Sequence, residues 1–493
     1  MKIILSVLLL IGLSIGACAK PIIIGKDQAP INAHDYAVLK KVAENAQFPV
    51  EKFRHLNKKR NDHFIVGPEG FLYDDDNKNG LIDGEDKAVF GGISRASNSY
   101  ITDKKGFVVA LKIKKTKFND STLLNGFKHI VAINLFKNEI SDLNISNLAE
   151  LRFLNIFEPN SLRVMTQLSN VNKLAFFEVS GLNTPNFKKF TGVKGLQKIE
   201  ISGMGIKSFA GLENMPNLKE AIISTNSKKL TSLAGIPKGH KLEKLKLSTS
   251  VTSDIKGIAN FTHLKQLELW AKKRTLTDYT PLNKLKNLEE LEISTSNLSD
   301  FSFIDDMPKL KKIITYAPIN SLAGVSNAPN LQHLELQRGT VRKIEHLDKN
   351  PQLKTLIINN HKLTKLEGLS KLKKLNTLDV SRNNITEIEG LENNQCLEKL
   401  WLAANPIKTL DNVYHLPLLR QLGLSDTEIN EFPRWQELKR LFRLSVDKQQ
   451  LKPEQFTSGY FYVNIPIKDF DLQLQTQREF VITSEESIKY GCI

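Results

Sequence analysis

Residues 75–86 read DDNKNGLIDGED, with oxygen-bearing side chains at alternate positions. Asp75, Asn77 and Asn79 come first, Gly80 makes the turn, Leu81 offers its carbonyl, and Asp83 and Asp86 complete the set. A hard cation needs roughly six to eight oxygens converging on one point, and alternate residues of a tight loop deliver them. The spacing predicts a structural Ca2+ site at Asp75, Asn77, Asn79, Leu81, Asp83 and Asp86. The alternative is an acidic, solvated turn. A register starting at Asp74 would put Lys78 among the ligands and fails.

Cys18 is the second residue with chemistry written around it. The opening MKIILSVLLLIGLSIGACAK has Lys2 at its charged end, an apolar run and then small residues, the layout of an export signal. Ile15-Gly16-Ala17-Cys18 has the form of a lipobox, which would make Cys18 the lipidated first residue and hold the protein at a membrane by that anchor alone. Ala17-Cys18-Ala19 equally satisfies the small-x-small rule of ordinary signal peptidase, which would free the protein. Both cuts imply export, to the outer membrane or cell surface, the periplasm or the medium. Beyond the signal only Cys396 and Cys492 remain, as a pair or as two free thiols. A nucleophile elbow, a phosphate loop, H-E-x-x-H and zinc-spaced Cys/His sets are all missing from the sequence, so no enzyme is expected.

What positions these residues is a repeat. L-x-x-L-x-L recurs from Val108 to Leu441 at intervals of 21 to 24 residues, and most intervals are 22. Such a period marks a solenoid. The motif ends in period-two alternation, so each repeat lays a short strand beside its neighbour, about 4.8 Å away. Asn138, Asn226, Asn383 and Asn405 stand at the corner after the strand, where their amides can bond backbone groups. Twenty-two residues leave little room for a helix, which predicts short 3₁₀ or irregular turns on the return. In the region 151–195 the register could slip by three residues.

The motif, together with N-x-I-x-x-I-x-x-L as in NNITEIEGL at 383–391, resembles the leucine-rich repeat superfamily. The 22-residue form looks like that of internalins and related bacterial surface proteins. The resemblance implies an α/β leucine-rich-repeat solenoid, with parallel strands on a concave face and short turns on a convex one. The expected layout is a signal peptide over 1–19, an N-terminal cap over 20–107, about sixteen repeats over 108–462 and a C-terminal β cap over 463–493. One cap helix is expected at DYAVLKKVAENA. The 75–86 loop resembles those of EF-hands and dockerins, but GPEGFLY before it cannot be a good entering helix, so the implied role is to stiffen the cap.

With skeleton residues pointing inward, the third, fifth and seventh motif positions face outward. The fifth column carries Glu178, Glu200, Glu268, Glu292, Glu335 and Asp379 against two lysines, Lys112 and Lys246, although the chain has a net charge of +16. Aromatics stand in the same face: Phe136, Phe157, Trp270 and Tyr316 in the seventh column, Phe153 and Phe176 in the third, and Trp401 in the fifth. Either they anchor a protein partner or neighbouring residues cover them. The positive excess lies in the repeats, in runs such as SKLKKL, NKLKNL and IPKGHKLEK. These could meet an anionic envelope component, or could simply be solvated. The expected function is an exported, non-catalytic protein-binding module using the concave face, with adhesion as one form of it. The alternative is an accessory envelope protein using its basic back, and nucleic acid is not an expected partner.

Overall fold

The computed structural model describes residues 22–23, 30–55, 64–66, 72–74, 87–88, 98–446 and 462–463. Short breaks fall at 104, 159–161, 204, 226–227, 229, 251, 272–275, 430–433 and 435–436. Two compact units are present, residues 1–250 and 251–493.

In the first unit the helix Ala33–Asn45 begins where Asn32 accepts the His34 amide on its side chain, the usual task of an N-cap. Its buried residues, Asp35, Leu39, Val42 and Ala43, lie on one side, spaced by helical turns. Two short strands, Arg54–His55 and Ser99–Thr102, pair in parallel, and the second then pairs antiparallel with Val108–Lys114. From there the strands run parallel in register through Ala132–Phe136, Phe153–Phe157, Phe176–Ser180, Lys198–Gly203, Glu220–Thr225 and Lys244–Thr249. Phe153 pairs with Phe176, which settles the doubtful 151–195 register in favour of the one starting at Leu174.

The second unit repeats the arrangement from Gln266–Ala271 to Arg443–Ser445, with parallel pairing at every step. Tyr462–Val463, in the expected tail strand, pairs beside Arg443–Ser445. The motif's skeleton residues form the core: Leu375, Leu378 and Val380, then Leu397, Leu400 and Leu402, are all fully buried. The return paths contain short 3₁₀ turns, among them Ser121–Gly126, Lys256–Asn260 and Thr280–Lys284. Two successive returns are different. Asp142–Ser146, whose DLNIS keeps a period-two burial, pairs in parallel with Val164–Ser169, with a register shift between Leu143 and Asn144.

The corners show what the asparagines do. Asn383 donates to the carbonyls of Ile358 and Val380 and accepts the Leu363 amide, at 2.7, 2.8 and 3.0 Å. Asn405 makes the equivalent set with Val380, Leu402 and Ile385. The residue before each, Arg382 and Ala404, turns the chain with φ of 59° and 54°. Asn138 also bonds across turns, to Ile113 and Glu158, after Lys137 at φ 54°. Asn226 lies outside the described residues. Ser296 takes the corner position after Glu290–Thr295, a strand of six residues. Later strands are only three or four residues long, whether the corner residue is His361 or Asn383.

Candidate functional site

The outward columns lie on the solvent side of the sheet, and their residues fall into separate groups in the two units. In the second unit Trp270, Ser294 and Tyr316 occupy the seventh column of three successive strands. The two large rings meet above the serine, centroids 5.2 Å apart and tilted by 33°. Ser294 is small enough to let them do so. Both aromatics are half-buried, and the skeleton residues of their strands close the core without them. The Trp270 indole N–H is shielded from water and has no acceptor among the described residues. Glu268 pairs in register with Glu292, and Ile314 separates Glu292 from Glu335. Burial pushes the Tyr316 hydroxyl pKa up, and the charges of Glu292 and Glu335 push it further. The two carboxylates therefore act electrostatically on the aromatic pair. Glu335 also takes hydrogen bonds from Gln337 and, at 3.1 Å, from His333.

Asp379 and Trp401 stand apart from that cluster. Asp379 is committed to its surroundings, accepting from the Ser381 amide and hydroxyl and from Asn359. Trp401 lies flat over Gly423: a Cβ there would stand 2.2 Å from the indole Cε3. The Arg443 guanidinium sits 5.3 Å from the same ring. Trp401 therefore packs against its neighbours and is half-buried, as Trp270 and Tyr316 are.

In the first unit Phe136 and Phe157 stack at 5.0 Å with planes 13° apart. Lys137 stands 5.4 and 5.9 Å from the two centroids, and Lys114 lies 5.5 Å from Phe136. Phe153 and Phe176 also stack, at 4.8 Å and 2°. These two were expected to be exposed, and they are not: they are 2% and 6% accessible. Each lies against the other, and Lys198 covers Phe176 at 5.6 Å. Ala110 and Ala132, which precede them in the third column, are also fully buried. From Lys198 onward that column is polar and half-buried. The change from Ala-Ala-Phe-Phe to Lys-Glu-Lys is visible in the sequence and could have marked the covered stretch. Sequence reasoning also missed Lys112, a fifth-column lysine that proves to be 2% accessible.

The lysine runs on the returns are partly engaged between turns. Lys286 donates to the Asp305 and Asp306 carbonyls at 2.7 and 2.8 Å, and Lys374 to Gln352 at 3.1 Å. The proposed calcium ligands, Asp75 through Asp86, lie outside the described residues, as does Cys18. The strands on either side of the loop do pair, Asp74 with Lys87, so its two ends are held side by side. Cys396 is buried and disulfide-bonded.

The family described as Leucine Rich repeats (2 copies) matches residues 351–393 and 373–417. No curated protein matches the chain. Among solved structures, an internalin (InlF) from Listeria monocytogenes is similar at 17% identity and a TM-score of 0.45, over 68% of this chain and 93% of that one. A leucine-rich repeat protein of Leptospira interrogans is similar at 18% identity and 0.45, over 66% and 75%. The functional domain of InlJ from Listeria monocytogenes is similar at 15% and 0.45, over 70% and 75%. The segment 351–417 thus carries leucine-rich repeats, and the turns around it continue the same strand register and core pattern.

Proposed function

We propose that this is an exported, non-catalytic binding module that holds a protein partner on the strand face of its second unit, with Trp270 and Tyr316 as anchors. Leucine-rich repeat solenoids are protein-binding scaffolds as a rule, and repetition explains why: the skeleton columns keep the fold while the outward columns vary. One observation carries the reading, the Trp270–Tyr316 pair at 5.2 Å on a face where the core needs neither ring. Rigid aromatics supply contact area at small entropic cost, and an indole N–H without an acceptor offers a hydrogen bond to whatever seats there. Glu268, Glu292 and Glu335 give the surround an acidic character that favours a basic partner surface.

Export rests on the signal-like first twenty residues, and anchoring on Cys18 as the lipidated residue. The loop 75–86 binds Ca2+ in this account and stiffens the cap that contains it. The accessory reading, in which the basic returns meet an anionic envelope component, is less favoured because Lys286 and Lys374 already serve neighbouring turns. A photo-crosslinking residue placed at Ser294 in the native host tests the choice of face. A discrete adduct from position 294 and none from Lys284 supports the strand face. Adducts from Lys284 alone favour the accessory reading.

A further inference from the structure

Lys112 stands at an outward position between the core residues Leu111 and Ile113, yet it is 2% accessible. Burial, aided by the neighbouring Lys114 ammonium, lowers its pKa to about 8. Among the described residues its ammonium has no carboxylate partner, so a cation sits withdrawn from water without a counter-charge. Its cross-strand partners are Ser99 and Asn134. Paired residues project to the same side of a sheet. Both are buried, and among the described residues Ser99 Oγ and Asn134 Oδ1 have no hydrogen-bond partner. The three groups share one chemistry, reception of a carboxylate. The ammonium supplies charge, the hydroxyl donates, and the amide donates once its nitrogen is turned to the same side.

The row these groups begin is closed at one end and opens toward the other. It continues through register partners from Asn134 to Asn155 and Glu178. Lys112 and Asn134 are 2% and 9% accessible, and Asn155 and Glu178 are half-buried. The stacked pair Phe153–Phe176 borders the row on one side and Phe136–Phe157 on the other. At about 4.8 Å per strand, the distance from Lys112 to Glu178 is about 14 Å, or about four extended residues. A blind end holding an unpaired cation suits a chain terminus better than a segment that must pass through. We propose that this track takes the free C-terminal carboxylate of an extended peptide, seated against Lys112 with the peptide running across the strands toward Glu178. The site lies in the first unit and does not depend on the Trp270–Tyr316 anchor.

The test uses a pool of random hexapeptides labelled at the amino terminus, prepared with free carboxyl termini and again as carboxamides. Binding of both pools to the full chain is read by fluorescence polarisation, with selected sequences resynthesised in each form. Free acids should bind at least tenfold more tightly than their amides, and Lys112→Met should remove that preference while the melting temperature is kept. On the wild type, a selected acid should suppress acetylation of Lys112 by acetic anhydride at pH 8, read by peptide mass spectrometry, and its amide should not. This second readout decides the matter even if Lys112→Met fails to fold. Equal binding of acids and amides, no binding by either, or acetylation unaffected by the acid would overturn the proposal. Binding at Trp270 in the second unit is unaffected by any of these results, so the two claims fail separately.

Discussion

His361 occupies a corner that asparagine holds in the next two turns. Its Nδ1 accepts the Val341 amide at 3.2 Å, as Asn383 accepts Leu363 one turn later. That bond puts the ring proton on Nε2, which is buried and faces the Leu336 carbonyl. The ring fits because Gly339, with φ 156°, stands at the preceding corner: a Cβ there would lie 2.6 Å from His361 Cε1. Burial lowers the imidazole pKa to about 4 from an ordinary 6.5. The neutral ring's contribution is complete above pH 6.5 and is lost as pH falls through 6.5 toward 4, by about 3 kcal/mol in all. Chemical unfolding at pH 7 and pH 4.5 should show this loss, and His361→Asn should remove much of it, since the amide can make both corner bonds. Equal pH sensitivity in the two proteins would assign the acid response to other groups, such as buried His240. The histidine itself was plain in the sequence. Its role was not, because only the glycine one turn before makes room for an imidazole at an asparagine corner.

Strand placement followed from the period of L-x-x-L-x-L, and along the main sheet the described strands from Ala132–Phe136 to Arg443–Ser445 begin at the motif's third position. Strand length did not, because it does not follow the corner residue alone: Glu220–Thr225 runs six residues up to Asn226, and His333–Leu336 ends after four without an asparagine corner. At Asn383 and Asn405 an asparagine bound to three backbone groups holds the turn. Asn405→Ala removes bonds to Val380, Leu402 and Ile385 inside a buried corner. It should destabilise the second unit by about 1–3 kcal/mol in urea unfolding. Ser296→Ala, at the same column of a six-residue strand, should cost clearly less. Equal costs would mean that the corner ladder does not set the turn. The strand pair Asp142–Ser146 and Val164–Ser169 was missed for a related reason. A return path was assumed to be a turn, and its own alternation was not read.

At the scale of the whole chain, repeat identity was legible, and the two ends were legible only as local motifs. A chelator should lower the melting temperature of the wild type and leave Asp75→Ala with Asp86→Ala unaffected; the same drop in both would remove calcium from the account. Mass spectrometry of the mature protein should find a lipid-modified Cys18 at its amino terminus, whereas an unmodified Lys20 start would mean free export. Spectra before and after reduction should pair Cys396 with Cys492, the one other cysteine then available. The face proposed to meet a partner was legible as aromatics in outward columns. How far each ring is covered was not, since Phe153 is buried against Phe176 and Trp401 rests on Gly423, contacts between turns. The most direct test of the central claim is the affinity of the partner captured at Ser294 for purified variants. Trp270→Ala and Tyr316→Ala should each weaken it by about 2 kcal/mol or more at an unchanged melting temperature, with Lys286→Ala and Lys374→Ala near wild type. Loss of binding in the lysine variants, with both aromatic variants intact, would contradict the account.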